Sequence, residues 1–485
     1  MTSLLSLTGT PRLLGAAPGR LESLAGYLAA GGYPALPGDL VDRVAATGLR
    51  GRGGAGFPLA TKLRGVAARP GTPVVVANGG EGEPGSVKDR YLMRTRPHLV
   101  LDGLRLAAEV VGAARGYVYT CDPVSAGRIR EALDEAALPV DVEVVEAPAA
   151  YVAGEETAAV RFIDGGTALP VAKPPRVFEH GVGGAPTLVS NVETLAHLAL
   201  LAAGHDATGH LLVTVSGAGR EPALAEVPAG IRLGDLADAY GALAVTGALL
   251  GGLFGGVRGA DALDLPVDLA GLAAAGSALG CGAIHLLTDR DCPVDVVTEA
   301  LSYLAAESSR QCGVCVSGTR SLAATMASVR SGAAGADDLA KLTRWAAGLP
   351  GRGACGLLDA AARTAGSLLE HFPARTAAHA STPACCPICA ASDTREAAVT
   401  APGDLSSPYD FPAARLPARS AMRLHVDPTA CQAYGLCTEK APDLVDLDEW
   451  GYAAVRDGDV PPSSVEAARA AVAACPNRAL RLEGR

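Results

Sequence analysis

The chain has 485 residues, a formal net charge of -10, few aromatic residues and abundant glycine and alanine. That length accommodates three or four domains around a large core, and the acidic balance argues against nucleic acid as a partner. Met1 to Pro11 has no basic region ahead of its short apolar run, and the uncharged stretch 240–257 is interrupted by six glycines, so neither a signal peptide nor a transmembrane segment is read. A cytoplasmic protein is expected, in which the twelve cysteines serve as buried thiols or metal ligands rather than disulfides.

In chain order, a helical stretch from Leu21 with Leu24, Tyr27 and Leu28 passes through Gly31-Gly32-Tyr33 to a second helix, Leu40 to Ala46. It delivers the chain to Gly51-Arg52-Gly53-Gly54-Ala55-Gly56-Phe57-Pro58, followed by Lys62. Glycines at this density let successive backbone N–H groups turn toward one anion without side chains in the way, and Arg52 and Lys62 add positive charge. A flexible turn would look the same in isolation, so the context decides. Val74-Val75-Val76-Ala77-Asn78 is a buried-strand run opening onto Gly79-Gly80-Glu81-Gly82-Glu83-Pro84-Gly85, the kind of polar crevice where open α/β sheets place ligands. A helix from Pro97 to Val111 and a strand at Gly116–Thr120 follow. A second edge comes at Tyr151-Val152-Ala153-Gly154-Glu155-Glu156-Thr157, then Lys173-Pro174-Pro175, then Pro186-Thr187-Leu188-Val189-Ser190-Asn191-Val192-Glu193-Thr194. Strand and helix alternate, which predicts a doubly wound α/β domain to about residue 205.

From Leu211 the pattern changes to a strand run, Leu211–Gly217, then Ala225–Pro228 and a short helix, Leu233–Tyr240. Further on, Cys312-Gly313-Val314-Cys315 and the distant Cys355 lie in sequence that reads as a helical bundle. Thiolates are soft ligands for iron, and a tight turn brings closely spaced cysteines onto one metal face. Residues 374–421 are rich in Pro, Ala and Ser and read as a linker carrying Cys385, Cys386 and Cys389, which alone cannot complete a tetrahedral site. A thiolate lent to a neighbouring cluster, chance exposed thiols and partial zinc ligation all fit them. Cys121, Cys281 and Cys292 are solitary in apolar surroundings and are read as buried structural thiols. The last segment, 422–485, reads as a small α+β domain with Cys431, Cys437 and Cys475-Pro476, and acids outnumber bases in it. An acidic face of this kind suits a basic redox partner.

The glycine loop, the Glu81/Glu83 crevice, the Gly-Glu-Glu-Thr segment and the Asn191 segment together resemble the NADH-binding flavoprotein subunit of respiratory complex I and the related diaphorase subunits of hydrogenases and formate dehydrogenases, from about residue 31 to about 372. The resemblance implies an α/β flavin-binding domain (1–205, with its N-terminal helices), a β-grasp domain of the SLBB kind (206–290), a helical-bundle iron-sulfur domain (291–373), the linker (374–421) and a ferredoxin domain (422–485). It implies FMN, with NADH laid over it. Gly51, Arg52, Gly53, Gly54, Ala55, Gly56, Phe57 and Lys62 carry over as the nucleotide loop. Asn78, Tyr151, Glu155, Glu156, Asn191 and Thr194 carry over as flavin contacts, with Glu81, Glu83, Gly154 and Lys173 lining the same site.

Gly80, Ala60, Ser190 and Arg176 depart from the family pattern, and Arg176 replaces an aromatic residue that stacks on adenine. An arginine there stacks or meets a 2'-phosphate, so the nucleotide is NAD(H) or NADP(H). In the family three cysteines at C-x2-C-x2-C spacing and a fourth downstream hold a 4Fe-4S cluster; here Ser309 takes the first place, leaving Cys312, Cys315 and Cys355. The cluster is then 3Fe-4S, or 4Fe-4S with the Ser309 alkoxide or an exogenous ligand, or lost. The C-terminal segment resembles bacterial single-cluster ferredoxins of the 3Fe-4S type, with Tyr434 where a middle cysteine stands in four-ligand forms. The implied activity is an FMN-dependent NAD(P)H dehydrogenase that reduces its own ferredoxin and then a redox acceptor such as a cytochrome P450 or a larger oxidoreductase complex. The alternative left open by Gly80, Arg176 and Ser309 is a non-catalytic electron-transfer or assembly subunit.

Overall fold

The computed structural model describes residues 3–381, 386 and 388–389, and in the C-terminal part 422–427, 431, 435–448, 453–456, 460, 464–475 and 479–484. They fall into two compact units, Met1–Ala414 and Arg415–Arg485.

The first layer of the large unit is a four-stranded sheet in the order Asp141–Glu146, Arg115–Thr120, Val74–Gly79, Thr187–Asn191, with every pairing parallel. The 74–77 run is apolar without alternation because both faces are covered. Val75 and Ala77 share a core with Leu101 and Leu104 of the helix Pro97–Val111 and with Leu195 and Leu198 of the helix Val192–Ala202. Val74 and Val76 share another with Ala159 and Val160 of the helix Glu156–Ile163. From the 74–79 strand the chain moves outward through two strands on one side and then returns to the other side with 187–191. The direction of winding therefore reverses beside Asn78 and Asn191, which are paired in register. A crevice opens at such a reversal, because the connections leave the carboxyl ends of the two strands in opposite directions.

A second, six-stranded sheet is mixed, in the order Ser3–Ser6, Arg220–Pro228, His210–Gly217, Ala283–Thr288, Val245–Leu250, Val257–Gly259. The expected helix Leu233–Tyr240 packs on it through Leu233, Leu236, Ala237 and Tyr240. The expected 1–205 segment does not close on itself, for Ser3–Ser6 runs parallel to Ala223–Glu226 of this second sheet. The buried Glu226 carboxylate holds it there by accepting the backbone N–H groups of Arg12, Leu13 and Leu14 at 2.8–3.0 Å.

Five helices follow: Pro293–Ala306, Gly313–Arg330, Asp338–Gly348, Leu357–His371 and Pro373–Ser381. They share a core that includes Val297, Leu301, Leu322, Met326, Leu342, Leu358 and Leu368. The last helix lies inside the segment expected to be a linker. Its Thr376 and His379 are buried, and so are Cys386 and Cys389 beyond it. The linker reading fails there because an alanine-rich stretch with inward-facing Thr and His side chains is a good helix when a bundle offers it a face.

In the small unit, strands Met422–Val426 and Leu480–Gly484 pair antiparallel, as do Val445–Leu447 and Ala453–Val455. The helices Leu436–Lys440 and Val465–Ala474 enclose a core of Leu424, Leu444, Val445, Val460, Ala468 and Leu480. Tyr434 lies outside the described residues.

Candidate flavin and iron-sulfur site

The glycine loop is closed at its neck: the Gly51 N–H donates to the Phe57 carbonyl at 2.9 Å, and Arg50 bridges Pro58. Gly54 (φ 111°) and Gly56 (φ 59°) hold left-handed backbone, and a side chain at Gly53 would press on Asn191 Cβ at 3.1 Å. The loop thus lies against the strand end where the winding reverses. The Arg52 N–H donates to Thr194 Oγ1 at 2.8 Å, while its guanidinium turns to the Thr208 carbonyl at 2.8 Å. Phe57 is half exposed.

Asn78 and Gly154 form the opposite wall. Asn78 Nδ2 donates to the Gly154 carbonyl at 2.9 Å and its Oδ1 accepts the Gly80 N–H at 3.0 Å, so one side chain sets the width of the crevice. A Cβ at Gly154 would lie 2.1 Å from the Gly80 carbonyl oxygen, so only glycine allows this approach. Asn191 caps its helix through the Glu193 N–H and donates to Asp89 Oδ2 at 2.7 Å. Glu155 caps the next helix by accepting the Thr157 and Ala158 N–H groups, and its other oxygen meets Lys173 Nζ at 2.8 Å.

Lys173 also reaches Glu156 at 2.6 Å, and Lys62 Nζ lies 4.0 Å from the same carboxylate and 2.5 Å from the Val189 carbonyl oxygen. Burial works against ionised Glu156, but the Lys173 hydrogen bond and the Lys62 charge outweigh it and hold its carboxyl below the usual range. Burial pulls the Lys62 ammonium down, with only the distant Glu156 opposing it. A half-buried lysine so weakly paired, beside a glycine cradle, fits a phosphate-bearing ligand.

Behind the crevice lies a buried charge cluster that motif reading did not single out. Lys88 Nζ meets Asp89 at 2.7 Å and Glu193 at 3.0 Å, and Glu81 Oε2 takes Arg90 Nε at 3.0 Å. Burial would raise the Glu193 carboxyl, but Lys88 wins and holds it at about 2. The Glu81 carboxylate is therefore committed to the wall. The signal was present in the sequence: Lys88-Asp89-Arg90 opens a helix in which every residue is buried.

The crevice is joined to the cysteines. The Tyr151 N–H donates to Glu307 Oε2 at 2.9 Å, and its ring stands edge-on to Tyr303 at 6.1 Å. Glu307 ends the 293–306 helix, one residue before Ser308, whose Oγ lies 3.6 Å from Cys315 Sγ. Cys312 caps the 313–330 helix and Cys315 sits in its first turn. Burial, then the neighbouring Cys312 and Cys355 thiols, push Cys315 up to about 11 despite the Ser308 hydrogen bond. Burial likewise raises Cys355, with Glu155 and Cys312 adding to it. Cys315 lies in the bundle core, with Cys312 and Cys355 packed against it, and an iron-sulfur cluster would supply the positive charge for them to become thiolates together. In the small unit burial raises the Cys437 thiol, and Cys431 and Cys475 add to the shift; Cys431 and Cys475 pack against the same core that holds Cys437. Burial pushes the Cys121 thiol up to about 12 and raises that of Cys281 as well. Cys292, expected to be solitary, is not: its Sγ lies 3.3 Å from His379 Nε2.

Three family models match the chain: the Nuo51 FMN-binding domain over residues 44–200, the NADH-ubiquinone oxidoreductase-F iron-sulfur binding region over 295–379, and the 4Fe-4S single cluster domain over 424–482. An F-type subunit of the NADH-quinone oxidoreductase of Rhizobium meliloti is 33% identical over 395 residues, covering 73% of this chain and 94% of the relative. The NADP-reducing hydrogenase subunit HndC of Solidesulfovibrio fructosivorans is 28% identical over 461 residues, 87% of this chain and 88% of the relative. Among solved structures, an NAD+-reducing [NiFe]-hydrogenase in the H2-reduced state is similar at a TM-score of 0.66 and 30% identity, covering 74% of this chain and 67% of that one.

Proposed function

The chain belongs to the family of F-type subunits of NADH-quinone oxidoreductase, and from that premise we propose that it is an FMN-dependent NAD(P)H dehydrogenase that passes electrons through iron-sulfur clusters to its own ferredoxin-like unit. The observation that carries this reading is the joint between crevice and cysteines: the same short segment supplies Gly154 to the crevice wall and Tyr151 to the Glu307 carboxylate beside the Ser308–Cys315 turn.

When bound, FMN accepts a hydride from the nicotinamide and releases its electrons singly, which iron-sulfur clusters require. The chain's own residues bind and orient. Backbone N–H groups within residues 53–56 with Lys62 receive phosphate, Asn78 and Gly154 set the crevice width, and Glu155 and Glu156, both bridged by Lys173, present a polar rim to the sugar hydroxyls. Cys312, Cys315 and Cys355 hold the first cluster, and Cys431, Cys437 and Cys475 hold the second. The second is of the 3Fe-4S or 4Fe-4S kind, and Cys431 and Cys475, packed against the core that holds Cys437, support it. The 206–290 segment is a β-grasp module of the SLBB type. Arg176 selects between NADH and NADPH. The acceptor is a basic redox protein, a cytochrome P450 or a component of a larger oxidoreductase complex, drawn to the acidic small unit, and the setting is cytoplasmic. No helix among the described residues is long and apolar enough to cross a membrane.

The test is anaerobic purification, assay of flavin, iron and sulfide, and then addition of NADH and separately NADPH. Flavin bleaching within seconds, followed by the cluster bands, is expected, and the faster reductant names the nucleotide. Bound flavin and clusters that neither nucleotide reduces would overturn the dehydrogenase reading in favour of a relay role.

A further inference from the structure

The fold collects four potential ligands that the flavin and cluster chemistry does not use. Cys292 stands at the N-cap of the 293–306 helix, His379 lies on the 373–381 helix, and Cys386 and Cys389 follow it. Their Sγ and imidazole nitrogen atoms all lie within 4.8 Å of one another, and among the described residues this is the only such group of three or more His, Cys, Asp or Glu. Cys292 Sγ is 3.3 Å and Cys389 Sγ 3.9 Å from His379 Nε2. A tetrahedral zinc bound through sulfur and imidazole places its ligand atoms about 3.5–3.8 Å apart, so the observed spacing needs only small adjustment. All four residues are buried, at 2%, 1%, 1% and 7% relative exposure for Cys292, His379, Cys386 and Cys389.

Two further features point the same way. His379 Nδ1 lies 3.3 Å from the Arg330 carbonyl oxygen; an N–H donated there fixes the tautomer and leaves the Nε2 lone pair for a metal, the second contact that metal-binding histidines ordinarily make. Cys386-x2-Cys389 is the spacing at which one turn puts two thiolates on one metal. An iron-sulfur cluster fits less well, because its protein ligands are spread over two or more irons and so stand further apart.

We propose that Cys292, His379, Cys386 and Cys389 form a structural Zn2+ site that fastens residues 386–389 to the helical bundle. The site is independent of the dehydrogenase reading. Binding converts three buried thiols to thiolates with release of their protons, so its free energy adds to folding.

The test is metal analysis of the full chain together with X-ray absorption at the zinc edge, where neither flavin nor iron interferes. About one zinc per chain is expected, with a first shell of three sulfurs and one nitrogen. Cys386→Ser and Cys389→Ser should each cut the zinc content at least about tenfold and leave iron and flavin unchanged, and Cys121→Ser should retain zinc. Zinc far below one equivalent in wild type, a shell without sulfur, or loss of iron rather than zinc from Cys386→Ser would each overturn the assignment. Because the absorption spectrum is read on wild-type protein, a variant that fails to fold does not protect the proposal.

Discussion

Glu83 is half-buried where the crevice meets the second sheet. Its Oε2 accepts the Leu253 N–H at 3.2 Å, and a side chain at Gly252 would run into its Cδ at 2.3 Å. Burial pushes the carboxyl up from 4.5 to about 8, against the pull of the Leu253 N–H and with help from the Glu81 charge. An unfolded chain titrates this group near its ordinary value, so between about 4.5 and about 8 the folded protein keeps a proton that the unfolded chain has lost. The resulting stabilisation is complete below the lower value. It is lost as pH rises toward the upper one, at about 1.4 kcal/mol per pH unit. The ceiling is about 5 kcal/mol, and relaxation around an ionised carboxylate brings the observable part to roughly 2–5 kcal/mol. Glu83→Gln keeps the shape and stays neutral, so it follows the protonated form at every pH. Thermal unfolding of wild type and variant, both carrying their cofactors and scanned at one rate, should give a Tm gap in favour of the variant. That gap grows between about pH 5 and about pH 8 and then levels, at roughly 5 °C. A gap that stays constant over this window would show that Glu83 is ionised in the folded protein and that the burial reasoning is wrong.

Gly154→Ala places a methyl group 2.1 Å from the Gly80 carbonyl oxygen, so flavin content should fall at least about tenfold while both sets of cysteines keep their iron; full flavin occupancy would refute the tight crevice. Lys88→Met leaves Asp89 and Glu193 buried without the cation between them, and denaturant unfolding should register a loss of about 3–5 kcal/mol; a change under about 1 kcal/mol would show that water reaches the cluster. Ser309→Cys offers a further thiolate at the first cluster, so its electron paramagnetic resonance signature should change while that of the small unit stays; identical spectra would remove position 309 from the coordination sphere.

The four-stranded sheet was legible because the 74–77 run is apolar on both faces, as a strand covered on each side must be. The crevice was legible because glycines and amides cluster at the two strand ends, Asn78 and Asn191, where the winding reverses. Less could be read where distant segments combine. Nothing local in Ser3–Ser6 reveals that it joins the second sheet; the tie is the Glu226 carboxylate, more than two hundred residues away, taking three backbone N–H groups. Nor does spacing connect Cys292 with His379, which are 87 residues apart and meet only when the bundle's first and last helices pack. Glu307 escaped for the same reason: its partner is the Tyr151 N–H, on the far side of the second sheet in sequence.

The thiols of the large unit differ in their surroundings, and the difference separates their roles. Cys312, Cys315 and Cys355 belong to the flavin crevice: Cys355 feels the Glu155 carboxylate, and Tyr151 feels Glu83 on one side and Cys355 on the other. An iron-sulfur cluster held there would exchange electrons with whatever occupies the crevice, and its ligands could stand apart because several irons share them. Cys292, Cys386 and Cys389 instead crowd one histidine whose far nitrogen is already engaged by a carbonyl of the bundle. A cation at that point would be met by three sulfurs and one nitrogen, all within 4.8 Å of one another, a set that suits an ion without redox chemistry. Removing the first metal should therefore stop electron flow with the fold intact. Removing the second should release the chain beyond Ser381 while the flavin can still be reduced.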